Sequence, residues 1–116
     1  MRAKILNASA GSGKTYQLAY KYVRDVIDQP GLYRHILAVT FTNKATEEMK
    51  SRILKEIHRL ASGGASPYLG NLCRELSLDE RSVRKRAAEV RSKILHDYSR
   101  FTVLTIDTFF QRILRA

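Results

Sequence analysis

The chain has 116 residues, enough for one small domain with a modest core and too few for a multi-lobed machine. It is 44% hydrophobic and 28% charged with only six Gly and two Pro, a globular composition that excludes wholesale disorder. Lys and Arg number 21 against 11 Asp and Glu, and the resulting formal charge of +10 favours polyanionic partners. No run approaches the roughly 20 apolar residues of a membrane span, and the N-terminus lacks the apolar segment of a secretory signal. A cytoplasmic protein that does not engage a membrane is therefore expected. The single cysteine, Cys73, excludes an intrachain disulfide and a cysteine metal cluster, and reads as a small buried hydrophobe.

In chain order, Ile5 and Leu6 mark a short strand, and a Gly-rich turn follows. Leu18, Ala19, Tyr22, Val23, Val26 and Ile27 then recur at helical spacing until Gln29-Pro30-Gly31 stops the helix. Ile36 to Phe41 is a near-continuous apolar run with β-branched residues, as in a parallel strand covered on both faces. Asn43 is the predicted N-cap of a helix whose buried face carries Met49, Ile53, Ile57 and Leu60, and Ser62-Gly63-Gly64 ends it. Ser66-Pro67 opens a short helical piece through Leu72 and Leu76. Ser77-Leu78-Asp79-Glu80 reads as a capping box before a helix with Val83, Ala87, Val90, Ile94 and Tyr98 as its buried stripe. The last strand is predicted over residues 101–106, followed by an amphipathic helix with Phe109, Phe110, Ile113 and Leu114. Nothing after Arg112 resembles a C-cap, so the parent polypeptide is expected to continue.

Ala8-Ser9-Ala10-Gly11-Ser12-Gly13-Lys14-Thr15 matches the phosphate-binding P-loop pattern except that its first glycine is Ala8. The context is a strand before and a helix after, so successive backbone N–H groups can point at phosphate. Gly11 and Gly13 admit backbone close to a ligand. Lys14 can reach the β- and γ-phosphates, and the Thr15 hydroxyl is placed for Mg²⁺. ATP with Mg²⁺ is the expected cofactor.

This loop, followed by Ile36-Leu37-Ala38-Val39-Thr40-Phe41-Thr42-Asn43-Lys44-Ala45 and by Glu48-Met49, closely resembles motifs I and Ia of UvrD/Rep-type superfamily 1 helicases, including the RecB and AddA branch. Thr105-Ile106-Asp107-Thr108-Phe109-Phe110-Gln111-Arg112 is similar to the segment that follows in those proteins. The resemblance spans nearly the whole chain and is loosest over residues 63–100. It implies an α/β fold, a partial RecA-like parallel sheet flanked by helices, with residues 1–116 an incomplete N-terminal ATP-binding domain and about 63–100 a helical insertion. It implies an ATP-dependent motor that moves on single-stranded DNA and separates duplex, in repair or recombination. The remaining helicase domains, and a nuclease subunit, are the implied protein partners.

Carried over by matching positions, Phe41 would approach a base, and Thr40, Thr42, Asn43 and Thr105 would lie along the strand. An exposed aromatic can stack on any base, and hydroxyls and helix-start amides can hold phosphate without reading sequence. Core packing is the other reading of Phe41. No Asp-Glu pair follows the last strand and no second domain supplies arginines, so the chain alone is expected to turn over little ATP.

Three features stay open on the residues themselves. Val103-Leu104-Thr105-Ile106-Asp107 superficially resembles a Walker B strand, which would put Asp107 at the metal; the resemblance instead places it on the DNA side, where it would cap a helix near Thr108. Arg81, Arg84, Lys85, Arg86, Arg91 and Lys93 either track a DNA backbone or form a solvated face. His35, His58 and His96 lack metal-ligand spacing. Two rival functions share Lys14 and Thr15: a small P-loop kinase, and a nucleotide-switched nucleic-acid-binding module. A kinase would need an acceptor site and a mobile basic lid.

Overall fold

The computed structural model describes the backbone of residues 4–7 and 12–115 and the side chains of residues 16–114. In order these form strand β1 (Lys4–Asn7), helix α1 (Ser12–Asp28), a 3-10 turn (Pro30–His35), strand β2 (Ile36–Thr40), helices α2 (Asn43–Ser62), α3 (Leu69–Leu76) and α4 (Glu80–His96), strand β3 (Thr102–Thr105) and helix α5 (Ile106–Arg115). The strands run parallel in the order β1-β2-β3, with Leu6 opposite Ala38 and Ala38 opposite Val103. The molecule is thus α/β, mostly helical around a parallel sheet.

Strand alternation sorts the sheet into two faces. Ile36, Ala38 and Val103 enter the main core, where the predicted stripes of α1, α2 and α4 meet them. Every residue of those stripes is buried except Tyr98, which lies beyond α4 and is 48% exposed. Each buried aliphatic side chain contributes about 1.5–3 kcal/mol. The opposite face carries Val39, buried, and Leu37 and Leu104, only half-buried; with Phe109 and Ile113 of α5 the two leucines line an open groove of about 350 Å³. The coverage of both faces expected for β2 is therefore incomplete. Within the core the Tyr22 ring meets Phe101 edge-on at 5.5 Å between centroids. Its buried hydroxyl has no partner among the described residues, and burial pushes the phenol far above its ordinary pKa.

Helix ends differ from the sequence reading in instructive ways. The N-cap of α2 is Thr42 rather than Asn43, because Thr42 has the extended backbone and its hydroxyl accepts from the Ala45 N–H at 3.0 Å. The Ser77 to Glu80 capping box does not form. Ser77 instead closes α3 in the left-handed region at φ 54°, and Asp79 caps α4 by accepting from the Ser82 N–H at 2.8 Å. Helix α3 begins at Leu69, later than Ser66-Pro67 suggested, and Cys73 is half-buried against the core rather than inside it. Gly63 ends α2 as predicted, at φ 84°, where a side chain would be strained.

Two polar clusters tie α2 and α4 to neighbouring connecting segments. Glu56 of α2 is fully buried, with Arg52 at 3.5 Å, Arg59 at 3.3 Å and the Ser66 hydroxyl donating at 3.0 Å. Tyr33 donates to Asp97 at 2.8 Å beside Arg34 at 3.0 Å, tying the 3-10 turn to the end of α4. That hydrogen bond, helped by the Arg34 guanidinium, holds the Asp97 carboxyl below the usual carboxylate range.

Candidate nucleotide and nucleic-acid site

In a parallel sheet every strand ends at the same edge, and here a helix starts almost at once after each. The connection is residues 8–11 between β1 and α1, residues 41–42 between β2 and α2, and none between β3 and α5. Three helix N-termini, each carrying about half a positive charge, therefore gather at the carboxyl edge of the sheet, where α/β proteins bind anions. Of the P-loop, Ala8 to Gly11 lie outside the described residues. Ser12, Gly13, Lys14 and Thr15 form the first turn of α1, and their side chains also lie outside.

The β2–α2 turn is fixed from within by hydroxyls. Thr40 is 1% exposed and shares a 2.6 Å hydrogen bond with Thr46, itself buried, while both hydroxyls reach the Thr42 carbonyl, at 3.2 and 3.1 Å. This arrangement holds the chain in a bend that leaves Phe41 half exposed, at 50%, with Thr42 and Asn43 open to solvent beside it. Core packing of Phe41 is thereby ruled out in this conformation. Thr40, expected along the strand, is instead an internal brace whose side chain faces away from solvent. Sequence reasoning does not single out Thr46, although it sits one turn before Met49 on the buried face of α2.

Thr105 is the register partner of Thr40, so the two turns lie side by side. Its hydroxyl accepts from the Thr108 N–H at 3.3 Å and lies 3.0 Å from the Thr108 hydroxyl. Helix α5 starts at Ile106, earlier than expected, so Thr105 takes the capping position and Asp107 falls exposed in the first turn. No group of three metal-ligating side chains occurs among the described residues. There Asp107 favours the helix dipole's positive end.

The basic helix divides its charges. Arg84 turns inward and donates to the carbonyls of Arg59 at 3.4 Å, Leu60 at 3.1 Å and Gly64 at 3.0 Å, at the C-terminus of α2. Arg86 does the same for α1 through Ile27 at 3.3 Å and Asp28 at 2.9 Å. Arg91 meets His58 of α2 at 3.1 Å. Arg81, Lys85 and Lys93 remain exposed. Half of the cluster is thus committed to the fold, which the arginines' places flanking the Val83 to Ile94 stripe could have signalled.

The chain belongs to the UvrD/REP helicase N-terminal domain family, whose sequence model matches residues 2–116. It is similar to the RecBCD enzyme subunit RecB of Escherichia coli, 31% identical over 119 residues that cover 96% of this chain and 10% of that protein. Higher identity over shorter stretches is seen with two further proteins. RecB of Borreliella burgdorferi is 43% identical over 58 residues, 50% of this chain and 5% of that protein. An ATP-dependent helicase/nuclease protein of Exiguobacterium sibiricum is 44% identical over 55 residues, 46% of this chain and 5% of that protein. The chain therefore spans about a tenth or less of the length of these relatives. No solved structure matches it significantly. Among the described residues no helix is long and apolar enough to cross a membrane.

Proposed function

We propose that the chain is the nucleotide-binding part of an ATP-dependent DNA helicase, the N-terminal portion of a RecA-like domain in which residues from about 63 to 100 are a helical insertion. The observation that carries this reading is the P-loop sequence at Ala8 to Thr15, lying between a parallel strand and a helix N-terminus in a chain matched along residues 2–116 by the helicase family. Backbone amides of the loop and of α1 would hold the phosphates, Lys14 would neutralise the β- and γ-phosphates, and Thr15 would bind Mg²⁺. Single-stranded DNA would cross the carboxyl edge, with Phe41 stacking on a base, Thr42 and Asn43 meeting phosphate at the start of α2, and Thr105 bordering the path. Thr40 would act indirectly, by fixing the bend. The further helicase domains, duplex DNA and a nuclease subunit would complete the assembly, in repair or recombination in the cytoplasm.

Calorimetry with ATP and Mg²⁺ tests the nucleotide site. Lys14→Ala is expected to weaken binding by about tenfold or more, the loss of one well-placed charge-assisted contact. Equal affinity in the two proteins would overturn the P-loop assignment. DNA-stimulated ATP hydrolysis by the longer polypeptide separates a motor from a kinase or a passive switch.

Phe41 is tested separately by titrating single-stranded DNA at several salt concentrations. Phe41→Ala should cost about 1–3 kcal/mol with little change in the salt slope, because stacking releases no counterions. Lys85→Ala should do the reverse if that exposed lysine meets phosphate. Unchanged affinity for Phe41→Ala, in a protein that remains folded, would remove the main support for the DNA path over residues 41–43.

A further inference from the structure

The buried face of α2 carries a hydroxyl at a place where an aliphatic side chain would pack without needing a partner. Thr46 is 8% exposed and falls at helical spacing with Met49 and Ile53, both fully buried. A hydroxyl taken out of water costs free energy unless it is hydrogen-bonded, so its partners explain how it can stand there. They are the Thr40 hydroxyl at 2.6 Å and the Thr42 carbonyl at 3.1 Å, one turn back along the chain. The Thr46 N–H donates to the same carbonyl at 3.0 Å, and the Thr40 hydroxyl reaches it at 3.2 Å.

Two hydroxyls bring two protons to this cluster. One fills the 2.6 Å contact. The other falls to the Thr42 carbonyl, at 3.1 or 3.2 Å, in preference to the Leu104 carbonyl of β3, which Thr40 reaches only at 3.5 Å. Whichever hydroxyl donates to the other, the Thr42 carbonyl is drawn inward. The peptide is planar and trans, so the Asn43 N–H points the opposite way, outward from the start of α2. Strand alternation alone would carry Phe41 after Leu37 and Val39 onto the half-covered face of the sheet. The bend instead leaves it 50% exposed.

We infer that Thr46 is a positioning residue: its hydroxyl, acting through Thr40 and the Thr42 carbonyl, holds Phe41 turned away from the sheet. Thr46 is too buried to meet a ligand itself. What it does for DNA rests on the path proposed above over residues 41–43, whereas the orientation of Phe41 can be read without DNA.

The chain has no tryptophan, so Phe41→Trp supplies a reporter of exposure at that position. In that background Thr46→Val keeps the shape and removes the hydroxyl, and it should lower acrylamide quenching by about twofold as the indole turns in against the sheet. Thr46→Ser restores the hydroxyl and should restore the quenching. Thr40→Val, which cuts the same contact from its other end, should reproduce the Thr46→Val result. With Phe41 in place, Thr46→Val should weaken binding of an oligothymidylate by about fivefold, the equivalent of one buried hydrogen bond, and Thr46→Ser should not. In Phe41→Ala, the same Thr46→Val change should add nothing further. A merely structural Thr46 would lower the urea midpoint and leave quenching and DNA binding where they were, which would overturn the inference. So would a Thr46→Ser variant that behaves as Thr46→Val, which would assign the effect to packing, or an affinity loss in Thr46→Val that persists in Phe41→Ala. If Phe41→Ala leaves DNA binding unchanged, the DNA path fails by itself, and the quenching result still decides the part played by Thr46.

Discussion

Replacing both Arg52 and Arg59 by methionine is expected to destabilise the chain by about 3–5 kcal/mol, read as a lower urea midpoint at unchanged slope. Glu56 faces the interior at 0% exposure, while its two arginines are 40% and 38% exposed. Either arginine alone can neutralise the carboxylate, so each single replacement should cost only about 1 kcal/mol, the scale of a half-exposed pair. Together they leave a buried carboxylate with one hydroxyl donor, Ser66. The cost should therefore exceed the sum of the singles, the signature of a shared partner. Adding Glu56→Met to the double variant should recover most of the loss, since a matched apolar cluster replaces buried ion pairs at little cost. Additive single effects would show that Glu56 reaches water and that the cluster does not act as a unit. Because Arg52 also lies over Tyr16, the double variant loosens the contact between α2 and the turn that follows the P-loop.

Arg84→Met should cost about 2–3 kcal/mol, more than any replacement among the exposed lysines of α4. Its Nη1 shares two N–H donors among three carbonyls around the end of α2, where the dipole is negative, and its Nε donates to Glu80 at 2.9 Å. Each such charge-assisted bond contributes about 1.5–3 kcal/mol before the others compensate. Methionine keeps the apolar stem, so the measured loss reports the guanidinium. Lysine restores one point charge without the fork and should recover about half. A loss below about 0.5 kcal/mol in thermal or urea unfolding would mean that water satisfies these carbonyls equally well. The same result would return Arg84 to the surface charges available to a polyanion, from which its geometry now withdraws it.

The division of α4 into clamping and exposed cations changes how the charge of +10 is understood. Arg84, Arg86 and Arg91 join α4 to α1 and α2, so they cannot simply be counted as a nucleic-acid footprint. Salt-dependence experiments belong on Lys85 and Lys93, whose side chains are exposed. In the proposed reading the more specific anion contacts would come from the carboxyl edge, through helix N-termini whose direction is fixed by the parallel sheet.

Sequence by itself determined the features governed by local rules. The buried stripes of α1, α2 and α4 followed from helical spacing, Gly63 from the need for a left-handed residue, and the β-α-β order from apolar runs alternating with amphipathic ones. The P-loop pattern was equally local, being a contiguous stretch between a strand and a helix. Tertiary structure decided what depended on partners far along the chain. Thr42 displaced Asn43 as the cap because Thr40 and Thr46 bend the backbone at residue 42, and Thr105 displaced Asp107 because β3 ended early. Arg84 clamps a helix end twenty or more residues away, and Tyr68 reaches Tyr16 across 52 positions in a contact that neither segment suggests alone. Phe41 shows the same limit at a single residue. An aromatic after an apolar strand has the composition of a core residue, and only the bend held by buried hydroxyls turns it outward.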